Sequence, residues 1–254
     1  MANSPQTYGT RTVDTPVDQG LRAYMLGIYN YMAGGIALTG LMAYLVFSFA
    51  VTSDPAQAVA TLRDGVYLTQ LGSTLFISPL KWVVMLSPLA FVMFLSFGMN
   101  RMSVGTAQML FWAFAAVMGL SMGSIFIVFT TTSIGRVFFI TAAAFGALSL
   151  YGYTTKRDLS AFGSFLFMGL IGIVIASLVN LFLQSTAMQF VLSVLGVLIF
   201  SGLTAWDTQR LKESYYENMG QEAAAKLSIV GALSLYLNFI NLFQSLLMIF
   251  GDRR

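Results

Sequence analysis

Seven stretches of this chain, near residues 25–50, 80–99, 107–130, 137–154, 161–183, 187–206 and 229–250, are long, apolar and almost free of charge. Most reach roughly 20 residues, the length of helix that crosses a ~30 Å hydrocarbon core. That pattern leaves few folds open. In lipid a backbone must satisfy its own hydrogen bonds, so only helices or closed barrels span the bilayer. Continuous apolar runs, rather than alternating ones, select helices. Composition agrees: 57% of residues are hydrophobic and 9% charged, against about 25% charged in a soluble domain. The expected fold is an all-α membrane protein, a bundle of seven transmembrane helices.

The remaining segments set the organisation. Residues 1–21 are polar and read as a soluble N-terminal tail; they lack the early apolar stretch of a cleavable signal. Residues 22–254 read as a single transmembrane domain. The fourth segment is the shortest, and Pro88 is expected to kink the second helix or mark a packed seam. Residues 51–79 read as a loop with DPAQ and RDG turn signals, and 208–228 as a second loop whose QEAAAKL favours helix. Alternate loops divide the basic residues unequally. Arg11, Arg22, Arg101, Lys156, Arg157, Arg210, Lys212 and Lys226 fall on one side; Arg63, Lys81, Arg136, Arg253 and Arg254 fall on the other. The richer side is expected to be cytoplasmic, which puts the N-terminus inside and the C-terminus outside. Gly119/Gly123 and Ala142/Gly146 have the spacing that lets helices approach closely, expected within the protein's own bundle.

Many chemistries are excluded. With no Cys and no His, there are no disulfides, no thiolate or imidazole metal ligands, and no Ser–His or zinc catalysis. No phosphate-binding loop and no basic stripe for nucleic acid occurs. The chain is read as a non-enzyme with no cofactor. Of ten acidic residues, only Asp207 belongs to an apolar segment, in SGLTAWDTQRL near the end of the sixth. A carboxylate there is either solvated at the headgroups beside Arg210 at i+3, or functional. An intramembrane aspartyl protease would need a second carboxylate. In the seventh segment Ser234, Asn238, Asn241 and Ser245 recur at i, i+4, i+7 and i+11, one face of a helix. Amides are costly in hydrocarbon without partners, so this stripe should face the bundle interior, either gluing helices or lining a wet cavity. A weaker polar face, Ser177, Asn180 and Gln184, reads as packing or a vestibule wall.

Four stretches together resemble the Bax inhibitor-1 family, transmembrane Bax-inhibitor-motif proteins, in its bacterial branch: SPLKWVVMLSPLAFV (78–92), TKRDLSAFGSFLFMGLIG (155–172), AWDTQRLKE (205–213) and LYLNFINLFQSLL (235–247). The resemblance spans roughly residues 20–250. It implies six helices around a central, polar-faced seventh in the bacterial inner membrane. It also implies a leak pathway for Ca²⁺ or other cations, controlled by pH through two aspartates. One matches Asp207; the other falls on Asn238, since LYLNF stands where the pattern has LYLDF. The gate and sensor are thus expected at Asp207 and Asn238. Arg101 and Arg210 are their latch partners, and Ser234, Asn241 and Ser245 line the path. Asp207 and Asn238 would form at most a weak Ca²⁺ site, because lost charge lowers calcium affinity, and coupled titration of two carboxylates is lost. The alternative the family suggests is a non-transporting interaction protein that modulates a membrane-bound protease or stress and quality-control machinery.

Overall fold

The computed structural model describes residues 16–54, 56, 58–63, 66–98, 102–216 and 219–254. Eight helices appear in chain order: α1 (Pro16–Ala50), α2 (Gln70–Phe76), α3 (Leu80–Gly98), α4 (Val104–Val128), α5 (Thr131–Thr154), α6 (Ser160–Leu183), α7 (Thr186–Glu213) and α8 (Gln221–Phe250). Six of them are long and apolar enough to cross a membrane. A seventh span exists if α2 and α3, bent by 62° at their break, count as one.

The 62° bend lies at the α2–α3 break, and Pro88, where a kink or a packed seam was expected, lies inside α3. Proline removes the N–H that would bond the carbonyl four residues back, here that of Val84. The Ser87 hydroxyl donates to the Val84 carbonyl instead, at 2.9 Å, and α3 runs on through Pro88. The 51–79 segment is more than a loop. It holds a three-stranded antiparallel sheet in the order β1–β3–β2, from β1 (Val51–Thr52), β2 (Ala60–Arg63) and β3 (Val66–Leu68). α2 follows it, capped by the Thr69 hydroxyl, which accepts from the Gly72 N–H.

Several helices outrun their apolar segments. α1 begins at Pro16, so residues 16–21 of the expected tail are its first turns, while residues 1–15 lie outside the described residues. α5 begins at Thr131, because Thr130 caps it through the Ser133 N–H. α7 continues to Glu213 with Arg210 and Lys212 in its last turn, where cations suit the negative end of the helix dipole.

α8 is the most buried span and α6 the least: 56% and 6% of their most apolar stretches are buried. α8 packs on α1, α4, α5 and α7. Its Tyr236 is fully buried among Phe111 and Phe114 of α4 and shares a 2.6 Å hydrogen bond with Thr39 of α1. The Thr39 hydroxyl also lies 2.8 Å from the Ala115 carbonyl of α4, so three helices meet there. Gly119 and Gly123 form the α1–α4 seam: a Cβ on Gly119 would lie 2.6 Å from the Thr39 carbonyl oxygen, and one on Gly123 2.8 Å from Val46. Gly146 does no such work; its missing side chain faces open space.

Candidate functional site

The site grows from three consecutive polar residues near the end of α7. Successive helical side chains point about 100° apart, so Asp207, Thr208 and Gln209 face three different neighbours. All three are buried.

Asp207 faces α8. Its Oδ2 accepts from Asn238 Nδ2 at 2.8 Å. Its Oδ1 lies 2.6 Å from Arg210 Nη2 without the alignment of a hydrogen bond, so that oxygen has a charge partner but no directed donor. The Asp207 side chain is 8% exposed and that of Arg210 46%. Arg210 therefore bridges a buried charge and the exterior, with its guanidinium 4.7 Å above the Trp206 ring. Trp206 in turn lies against Gly163 of α6, where no side chain would fit.

Thr208 faces α5. Its hydroxyl donates to the Thr204 carbonyl at 2.8 Å and so accepts from Ser149 at 3.1 Å. Ser149 is bonded in turn to the Tyr29 hydroxyl of α1 at 2.5 Å. Gln209 holds the α5–α6 connection: Nε2 donates to the Arg157 carbonyl at 2.7 Å and Oε1 accepts from the Leu159 N–H at 2.8 Å. Lys212, one turn on, donates to the Tyr153 carbonyl at 2.8 Å. The hydroxyl of Tyr24, which packs on Tyr215, is buried with no hydrogen-bond partner among the described residues.

The helix register explains how Asp207 and Asn238 meet. Leu211 packs on Gly231 and Ser245 on Gly196, so α7 and α8 run antiparallel with Asp207 level with Asn238. α8 starts well beyond the end of α7: Gln221 lies 17 residues before Asn238, or about 25 Å at 1.5 Å per residue.

The polar stripe divides. Asn238 bonds Asp207, and Ser245 packs against Gly196 of α7. Asn241 Nδ2 donates back to the Leu237 carbonyl of its own helix at 2.8 Å, and Ser234 is half-buried. Arg101 lies outside the described residues. On α6, Asn180 and Gln184 build the turn into α7. The Asn180 side chain accepts from the Ser185 N–H, and Gln184 takes the left-handed backbone (φ 50°) that ends the helix. Together they terminate α6. An apolar cavity among α1, α4, α5 and α8 and a groove beside Lys81 and Trp82 both leave Asp207, Asn238 and Asn241 out of their walls.

As a cation site, the Asp207–Asn238 pair offers two carboxylate oxygens and one amide oxygen. Calcium takes six to eight oxygens. Among the described residues no cluster of three or more acidic, His or Cys side chains forms, and Asn238 turns its nitrogen toward the carboxylate. A passing cation would have to displace both that amide and Arg210.

Sequence reasoning missed Thr208, Gln209, Ser149, Tyr29 and Lys212. The signal the sequence offered was the run D-T-Q directly after the sixth apolar segment, three polar side chains that take three azimuths once the helix continues to Glu213.

The chain matches the family described as inhibitor of apoptosis-promoting Bax1 over residues 21–254. It belongs to the Bax inhibitor-1 family. Relatives include a protein of Caulobacter vibrioides, 48% identical over 95% of this chain and 93% of its own length. A Rickettsia prowazekii protein is 42% identical over the full length of both chains. The inner membrane protein YbhL of Escherichia coli K12 is 44% identical over 92% of this chain and 94% of its own. Family members of this kind embed apolar helices in lipid, and the exposed faces of α3 and α6 here, rich in Leu, Phe, Val and Met, fit that setting.

Proposed function

We propose that this is an inner-membrane protein, as YbhL is, that lets Ca²⁺ or other cations leak slowly through a path along a central, polar-faced α8. The Asp207 end is cytoplasmic and the sheet end, with the C-terminus, outside. The observation that carries the proposal is the buried Asp207 held between Asn238 of α8 and Arg210. Closed, the ionised carboxylate accepts from Asn238 and attracts Arg210, tying α7 to α8. Protonation removes the charge that holds Arg210, the tie weakens and the helices can part. Among the described residues two groups face this carboxylate: Arg210 on α7 itself and the neutral Asn238 on α8. With Asn238 in place of a second aspartate, one titrating group is left and the pH response is shallow. Asp207→Asn is expected to give Ca²⁺ flux in proteoliposomes that no longer changes with pH. Wild-type and variant flux that follow the same pH curve would remove Asp207 from gating.

A second reading has its own support. Ser245 sits on Gly196 of α7 as structural glue would, and the Asn241 amide is spent on its own helix rather than offered to a path. On that reading the protein conducts nothing and modulates a membrane-bound protease or a stress response. Copurification of a protease from native membranes, with no cation flux above that of empty liposomes, would favour it.

A further inference from the structure

We propose that the apolar cavity between α1 and α5 is a binding site for a phospholipid acyl chain, with the lipid phosphate held at Arg254. The cavity has a volume of about 160 Å³. An apolar cavity of roughly 150 Å³ stays dry and takes apolar guests. Phe126, Phe138 and Phe243 wall it, and its single polar side chain, Thr39, is already committed to Tyr236 and Ala115. Nothing in the wall would recognise a polar ligand.

Two glycines hold the mouth open. Gly40 of α1 and Gly135 of α5 both line the cavity, and a Cβ on either would touch nothing within 4 Å. α1 and α5 barely pack on each other, so the gap between them leads sideways toward the lipid. An acyl chain is the apolar guest that this surrounding supplies.

A cation closes the sheet end of the same gap. The Arg254 guanidinium donates to the Thr131 hydroxyl at the start of α5, at 3.1 Å, and lies 5.3 Å over the ring of Phe47 on α1. It thus spans the two helices that flank the mouth. Phe47 stacks on Phe126 of the cavity wall at 5.6 Å. Thr131 is four residues from Gly135, and Phe47 four from Ala43, about one helical turn each, or ~6 Å. The backbone beside Arg254 is fixed, its N–H donating to the Val128 carbonyl at 3.0 Å. A phosphate at Arg254 therefore stands one turn above the cavity, with its chain running down past the glycines.

The test uses the full chain in phosphatidylcholine liposomes doped with phosphatidylglycerol that carries a photoreactive diazirine midway along one acyl chain. After illumination, adducts are mapped by mass spectrometry. Adducts are expected on residues 36–43 and 134–138, to be lost from them in the Gly40→Leu/Gly135→Leu double variant, and to be reduced by Arg254→Ala. Adducts on Phe182 of α6, which is 90% exposed, should stay constant in all three. Equal labelling of the cavity segments with and without the leucines overturns the chain site. Labelling that the leucines abolish but Arg254→Ala leaves untouched overturns the phosphate contact.

Discussion

Asp207 carries the one carboxylate that α7 and α8 enclose, and its two oxygens have unequal lives. Oδ2 is fixed by the Asn238 amide, while Oδ1 relies on an Arg210 that is half in solvent. Asn238 can satisfy Asp207 without adding charge; an aspartate there cannot. In Asn238→Asp the two carboxylates would stand at hydrogen-bond distance and repel once both ionise. The variant is expected to lose thermal stability as pH rises, by roughly 1–3 kcal/mol for an unsatisfied buried contact, and to recover when acidified. Melting curves in detergent across pH would check it; a wild-type profile in the variant would mean the two positions do not sense each other. Asp207 was legible because a lone acid in an apolar run is conspicuous. Its neighbours Thr208 and Gln209 were not, since uncharged polar residues near a helix end look like emerging loop. Only the azimuths in the folded helix show that Gln209 reaches back to the α5–α6 connection.

Hydropathy located every long helix, but not where each one stops or what it leans on. α5 opens with TTSIGR, polar enough to hide its first two turns, yet Thr130 caps it. The end of α7 was placed at Trp206 because polarity rises there; the polar side chains are spent on other helices and the backbone runs on to Glu213. The small sheet went unread because strands of two to four residues are too short to display alternation. Gln209 is the element-scale joint. It supplies both an acceptor to the buried Leu159 N–H and a donor to Arg157, at a helix start that has no side-chain cap of its own. Gln209→Ala is expected to leave the buried Leu159 N–H unpaired at a cost of about 1–3 kcal/mol, while the Arg157 carbonyl, on an exposed residue, can turn to water. Amide exchange should then quicken across residues 155–163 while α8 stays protected. Unchanged exchange there would show that the connection holds itself.

At the scale of the molecule, α8 lies among α1, α4, α5 and α7, and its two faces differ. One is aromatic, built round Tyr236; the other carries Asn238 and Ser245 against α7. A stripe of four polar residues was visible in the sequence. Hydropathy did not show that the stripe divides, with Asn238 and Ser245 against α7 and Asn241 bonded to its own helix, because it says which helices are buried but not which helix each one packs against. Only the family resemblance paired Asn238 with Asp207. If cations pass, α7 and α8 must part near Asp207. The absence of cysteine makes this testable with one introduced pair. The tip of Leu211 lies 2.7 Å from where a Gly231 Cβ would be, so Leu211→Cys with Gly231→Cys puts two thiols within bridging reach, one turn from Asp207. The decisive measurement is Ca²⁺ flux through this double variant in proteoliposomes at acidic pH, before and after oxidation. Flux that stops on forming the disulfide and returns on reduction is the predicted result; flux indifferent to the bridge contradicts a gate between these helices.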